Sequence, residues 1–243
     1  KVRLKRQVET SADSPNELQS VSGIVGKSTA IELLRMQIKQ LANSPYPVLI
    51  HGESGSGKEL AAQNLHSCSQ RKEHPFLTLN CAAFNGELLA SQLFGHARGA
   101  FTGATESKPG FFEEAGQGTL LLDEIADLPI DLQAKLLRVL ENGEYYRVGE
   151  TQPRMSKARV LAASNKNLIE AIDKGLFRED LYHRLSVLSI RVPSVNEREQ
   201  DKLVLLEFFQ QKLDQQLKSF VLDDESKKLW MLYDFPGNVR ELR

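Results

Sequence analysis

From Gly52 the chain reads GESGSGKE, ending on Glu59. Gly52, Gly57 and Lys58 complete the pattern G-x-x-x-x-G-K, whose glycines let backbone N–H groups converge on phosphate oxygens and whose lysine adds a point charge. Such a loop works only between a buried strand and the positive N-terminal end of a helix. PVLIHG on one side and GKELAAQNLHSC on the other have the apolar spacing of those two elements. The residue after the lysine is ordinarily a Ser or Thr whose hydroxyl holds magnesium, and here it is Glu59. Either the loop is a chance Gly-rich turn, or the metal is held differently.

Further short apolar runs, FLTLN (76–80), TLLLD (119–123), RVLAAS (159–164) and VLSIRV (187–192), alternate with helical patterns, among them STAIELLRMQIKQLA. That alternation predicts an α/β fold with a parallel sheet flanked by helices. Beyond Pro193 strand signals vanish; EREQDKLVLLEFFQQKLDQQL reads as a helix, and a second helical pattern runs through Leu232. The expected organisation is a polar linker at 1–22, an α/β core at 23–192 and a small all-helical lid at 193–243 whose C-terminal end is cut short. The basic group Lys1, Arg3, Lys5 and Arg6 reads as a solvated helix end or linker.

With 243 residues, 41% of them hydrophobic, the chain is long enough to build a sizeable core without staples. A formal net charge of −1 argues against a protein whose main business is wrapping nucleic acid, since that affinity comes from clustered Lys and Arg. Cys68 and Cys81 have neither metal-ligand spacing nor a disulfide framework, which suits core thiols in a reducing compartment. No apolar run approaches a membrane span, and the basic start lacks the apolar segment of a signal peptide, so a cytoplasmic location is expected.

The run TLLLDE ends on Asp123 and Glu124. Two carboxylates at the end of a buried strand are costly unless they face a cation or solvent. Asp123 is therefore expected to hold magnesium through water, and Glu124 to position or deprotonate an attacking water.

GESGSGKE, GAFTGA (99–104), GTLLLDE and FREDLYHRL (177–185) together resemble the central ATPase domain of sigma-54-dependent transcriptional activators, the bacterial enhancer-binding proteins of the AAA+ class. The resemblance covers roughly residues 23–243 and is specific, because GAFTGA between the two nucleotide motifs marks this family rather than ATPases at large. It implies that GKE is a normal ending for the loop, with magnesium relying on phosphates, water and the Asp123 side; whether Glu59 touches the metal stays open. ATP with magnesium is the implied ligand, held by Gly52, Glu53, Ser54, Gly55, Ser56, Gly57, Lys58 and Glu59, with Val25 and Gly26 beside the adenine. Asn80 corresponds to a residue that senses nucleotide state by gripping the catalytic Glu124, and Asn165 to a first sensor near the γ-phosphate. Arg178 and Arg184 correspond to arginine fingers that reach a neighbouring subunit's nucleotide, and Arg240 to a second sensor in the lid. Read as residues alone, both asparagines could equally be satisfying turns, and the arginines could be solvated charges.

By the same resemblance Gly99, Ala100, Phe101, Thr102, Gly103 and Ala104 form a loop that contacts sigma-54 and moves with hydrolysis, supported by a second loop around Glu141 to Pro153. The glycines and alanines alone would permit a tight tip carrying one aromatic ring and one hydroxyl. Two departures from the family pattern stand out: Asn196 in PSVNER replaces an Arg, and Ala126 replaces a Gly in DEIADL. The implied activity is ATP hydrolysis in a ring of six or seven subunits, remodelling closed sigma-54 RNA polymerase into the open complex. DNA would be contacted only through a domain outside this chain. An oligomeric nucleotide-binding regulator that no longer remodels polymerase is the alternative, and a translocating motor lacks support because the pore-loop position carries GAFTGA.

Overall fold

The computed structural model describes residues 21–198, 201–213 and 222–242, so nearly all of the expected linker, including the basic group at its start, lies outside the described residues. The strands are β1 (Val48–His51), β2 (Phe76–Asn80), β3 (Thr119–Asp123), β4 (Glu144–Tyr145), β5 (Arg154–Met155), β6 (Arg159–Ser164) and β7 (Leu188–Arg191). Five of them form one parallel sheet in the order β2-β3-β6-β1-β7, and β4 with β5 makes a small antiparallel hairpin. The helices are α1 (Thr29–Ala42), α2 (Lys58–Ser67), α3 (Gly86–Phe94), α4 (Phe111–Glu114), α5 (Ile130–Asn142), α6 (Leu168–Asp173), α7 (Glu179–Leu185), α8 (Asp201–Leu213), α9 (Asp224–Leu232) and α10 (Asn238–Leu242).

The central strands β1, β3 and β6 are buried on both faces because both faces are covered, whereas the edge strands β2 and β7 are partly exposed. Successive side chains of one strand point to opposite sides, and they feed two separate cores. Leu49, Leu120, Leu122, Val160 and Ala162 join the helices α3, α5 and α7 on one side. Val48, Ile50, Leu121, Leu161 and Ala163 join α1 and α2 on the other. The terminal helices gather a third, smaller cluster around Val195, Leu205, Phe235 and Leu242, backed by Phe209, Trp230 and Val239. The fold is an AAA+ P-loop core followed by a helical lid.

Helix ends are set locally. The Ser28 hydroxyl accepts from Ile31 N–H at the start of α1, and the Asn85 carboxamide accepts from Leu88 N–H at the start of α3. Gly143, at φ 80°, closes α5 in the left-handed conformation that suits glycine. Among the described residues, no helix is long and apolar enough to cross a membrane. Cys68 and Cys81 are free thiols; burial, with the Asp123, Asp127 and Glu124 carboxylates, pushes the Cys81 thiol up to about 12.

Candidate nucleotide site

In an open parallel sheet, ligands bind beyond the carboxyl ends of the strands. The end of β1 carries the Gly-rich loop and leads directly into α2, whose first residue is Lys58. Gly55 and Gly57 take φ of 74° and 107°, and a Cβ built on Gly57 meets nothing within 4 Å, so the backbone there borders open space. Gly57 offers α2 no side-chain cap, which leaves the helix's first N–H groups free for an anion.

Lys58, Asp123 and Glu124 line one cavity of about 480 Å3, together with Ser54, Gly55, Gly57, Glu59 and Arg240. Lys58 Nζ donates to the Gly52 and Glu53 carbonyls at 3.0 and 3.2 Å. Burial lowers the pKa of this ammonium, the Glu124 and Asp123 carboxylates partly offset that, and Arg240 adds to the lowering. Asp123 and Glu124 thus share the cavity lining with Lys58 and Arg240.

Asp123 accepts the Glu124 N–H at 3.0 Å. Glu124 sits at φ 51°, a left-handed conformation that costs a side-chain-bearing residue energy, and its Oε2 is buried with no partner. Glu124 thus combines backbone strain with a buried carboxylate oxygen that lacks a partner. No group of three or more His, Cys, Asp or Glu able to hold a metal occurs among the described residues. The adjacent Asp123 and Glu124 carboxylates, one with a buried unpartnered oxygen, are a donor pair of the kind magnesium accepts beside phosphates, since that ion keeps most of its waters. Asp123 and Glu124 line the cavity together with Glu59, which is exposed on its wall.

Asn80 lies opposite Asp123 in the β2–β3 register. Its Oδ1 accepts from Ala82 N–H at 2.9 Å and so caps the short turn Cys81–Ala83. Asn165 is exposed just past β6, between the ends of β1 and β3. Gly26 holds φ 144° against Asp201, and Val25 lines a narrow apolar crevice with Gly57, Leu60 and Val239. Arg178 and Arg184 stand elsewhere: Arg178 immediately precedes α7 and pairs with Asp180 at 2.6 Å, and Arg184 Nε donates to the Leu140 carbonyl at 2.9 Å. Neither lines the cavity of its own chain.

The lid reaches the loop at several points. Arg240 Nη1 approaches Ser54 Oγ at 3.3 Å. Buried Arg198 donates to the Ser56 carbonyl at 2.7 Å and to the Pro193 carbonyl at 2.9 and 3.1 Å, and burial lowers its pKa to about 10. Asp201 accepts from Lys27 N–H, Ser28 N–H and Ser28 Oγ at 2.6, 3.0 and 2.6 Å. Phe208, Phe209 and Lys212 of α8 extend the cavity wall. Sequence reasoning singled out none of Arg198, Asp201, Phe208, Phe209 or Lys212; an acid or a base in a helical stretch carries no local sign that it is buried against a distant loop. The departures are quiet here: Asn196 Nδ2 lies 3.3 Å from Asp234 Oδ1, and Ala126 packs at the edge of the larger core.

The segment 99–104 lies away from this cavity. Gly99 N–H donates to the Ala104 carbonyl at 2.8 Å, closing a tight loop with Phe101, Thr102 and Gly103 exposed at its tip. Phe101 rests edge-on against His96, with 5.1 Å between ring centroids. The hairpin loop supports its base, because Ala97 N–H donates to the Val148 carbonyl at 2.9 Å and Gly149 packs directly on Ala100. Arg147 pairs with Glu113 at 2.8 Å and Arg154 with the same carboxylate at 3.4 Å, fixing the hairpin to α4.

A strand–glycine loop–helix unit, an acidic strand end beside it and a helical lid laid over the loop define a P-loop nucleotide-binding domain of the AAA+ class. The family described as the Sigma-54 interaction domain matches residues 24–191, and the AAA+ ATPase lid domain matches residues 196–243. The chain belongs to the Sigma-54 interaction domain family.

The transcriptional regulatory protein ZraR of Salmonella typhimurium is 43% identical over 236 residues, covering 96% of this chain and 54% of ZraR. The nitric oxide reductase transcription regulator NorR1 of Cupriavidus necator is 48% identical over 223 residues, covering 90% of this chain and 43% of NorR1. The crystal structure of NtrX from Brucella abortus in complex with ATP superposes with a TM-score of 0.82 at 38% identity, covering 90% of this chain and 48% of that one. The chain thus spans about half the length of the relatives it matches.

Proposed function

We propose that this chain, with its core at 23–192 and its lid at 193–243, is the ATP-hydrolysing motor of a cytoplasmic transcription regulator that remodels sigma-54 RNA polymerase through the loop 99–104. The observation that carries the proposal is Glu124: a strained residue with an unpartnered buried carboxylate oxygen, next to Asp123 and across one cavity from Lys58. The similarity to ATP-bound NtrX supports the choice of nucleotide.

The loop amides and Lys58 hold the phosphates, and Lys58 exchanges its bonds to the Gly52 and Glu53 carbonyls for phosphate oxygens. A magnesium ion held on the Asp123 side would neutralise phosphate charge. Glu124 orients a water and takes its proton, and its unpartnered Oε2 is available to accept that hydrogen bond. Asn80 and Asn165, at the ends of β2 and β6, flank Glu124 and the loop as sensors of nucleotide state.

Arg178 and Arg184 lie outside their own chain's cavity, which supports donation to a neighbouring subunit in a ring, six-membered in this reading. The exposed Phe101 and Thr102 then form the polymerase contact, and the hairpin behind them sets the loop's attitude. ATPase specific activity measured against protein concentration tests the shared site. It should rise steeply as rings assemble, whereas a concentration-independent rate would contradict a shared site.

A further inference from the structure

Helix α10 meets the phosphate loop through Asn238, two residues before Arg240 in the stretch FPGNVRELR and given no role by the sequence. Asn238 is 1% exposed, sits at φ 53° and uses its whole carboxamide. Its Oδ1 accepts from Val195 N–H at 2.8 Å, while its Nδ2 donates to Glu53 Oε2 at 2.9 Å and to the Ser54 carbonyl at 3.1 Å. One donor and two acceptors around the group fix the orientation of the amide, since the flipped arrangement would oppose like partners.

The turn that delivers Asn238 is strained. Phe235 also takes a positive φ, 44°, and is held there by edge-on contacts with Trp230 and Tyr233 at 4.9 Å. The Gly237 carbonyl lies against Gly55 so closely that no Cβ would fit on that loop glycine. Glu53 is engaged at both ends: its carbonyl by Lys58 Nζ at 3.2 Å and its carboxylate by Asn238. Phosphate oxygens compete with that carbonyl for the lysine, so ligand acts on one side of Glu53 while the lid is attached to the other.

We propose that Glu53 and Asn238 form a joint through which occupancy of the phosphate loop sets the position of α10 and its Arg240, with Asn238 as the positioning residue. This rests on the nucleotide-binding reading. Arg240 is two residues beyond Asn238 on a helix of five, so a shift of the joint moves the guanidinium with it.

The test is hydrogen exchange of segment 235–242 in the whole chain, without nucleotide, with saturating ADP and with a saturating non-hydrolysable ATP analogue. In the unsubstituted protein, nucleotide should slow exchange there by about fivefold or more. Asn238→Asp keeps the acceptor for Val195 and tolerates the backbone, but it sets a carboxylate against Glu53. It should bind ADP within about tenfold of the unsubstituted affinity and lose most of the exchange response. Adding Glu53→Gln should restore the response, because the introduced amide can donate to the introduced carboxylate. Asn238→Gly, which keeps the left-handed turn, replaces the Asp variant if that one does not fold. An unchanged exchange response in nucleotide-bound Asn238→Asp or Asn238→Gly overturns the joint. So does a folded double variant without recovery, or an unsubstituted protein that binds nucleotide with no effect on 235–242. Failure of the unsubstituted protein to bind nucleotide overturns the proposed function instead.

Discussion

Arg198 Nη2 donates to the Ser56 carbonyl at 2.7 Å, so a buried guanidinium from the start of the lid holds the phosphate loop from behind. The same side chain also satisfies the Pro193 carbonyl. Arg198→Ala leaves both carbonyls without their donor and opens a void. Stability should fall by about 2–4 kcal/mol, with Arg198→Lys intermediate because an ammonium cannot reproduce the fork. Urea unfolding followed by circular dichroism measures this, and a loss below about 0.5 kcal/mol would mean that the lid does not depend on the contact.

Glu124→Gln should keep ATP binding and abolish turnover. The substitution preserves shape but removes the base, and positioning the water contributes to the transition state rather than to ground-state binding. Turnover should drop by about 10²-fold or more while nucleotide affinity stays within about tenfold. Substantial residual hydrolysis would remove Glu124 from its assigned role.

Stability should fall on acidification through buried His66 and half-buried His51. His66 Nδ1 lies 2.9 Å from Thr119 Oγ1, and burial holds its pKa below 6.5. Burial, aided by Arg191, does the same for His51. The unfolded chain therefore takes up protons near 6.5 that the folded chain refuses, and stability present above that pH is lost progressively below it. The slope from one such group is at most about 1.4 kcal/mol per pH unit. Comparing unfolding free energies of the unsubstituted protein and His66→Asn between pH 7.5 and about 5.5 isolates the term. Parallel curves would contradict it.

Arg178→Ala should reduce hydrolysis by roughly 10³-fold with little change in the ATP affinity of the monomer. Mixed with Lys58→Ala protein it should recover activity, because one interface then pairs an intact loop with an intact finger. Co-assembled mixtures that never exceed either parent would show that the arginine acts within its own chain or not at all.

The sheet was legible in the sequence because central parallel strands buried on both faces are continuous apolar runs: TLLLD and RVLAAS are strands at the bounds their composition suggests, and so is the half-buried edge strand FLTLN. VLSIRV is trimmed to Leu188–Arg191, its ends serving as connections. The Gly-rich loop was legible because few other uses demand those glycines with that lysine. The lid anchors were not. Arg198 meets Ser56 across 142 positions and Asn238 meets Glu53 across 185, and no local period or propensity encodes such a meeting. The β4–β5 hairpin has two-residue strands, too short to show alternation. The left-handed backbone of Glu124 has no composition signal either, since glycine, the residue that favours it, is absent there.

The most direct test of the account is Thr102→Ala. Work on a partner requires a contact whose strength differs between nucleotide states, and Thr102 is exposed at a loop tip away from the nucleotide cavity. The decisive measurement compares sigma-54 retention on the unsubstituted and Thr102→Ala proteins in the presence of an ATP transition-state mimic, with phosphate release and open-complex formation followed in parallel. The account predicts that the unsubstituted protein retains sigma-54 only with the mimic, while Thr102→Ala hydrolyses ATP at a near-normal rate but loses both retention and open complexes. Full open-complex formation by Thr102→Ala, or no retention by the unsubstituted protein under any nucleotide condition, would contradict it.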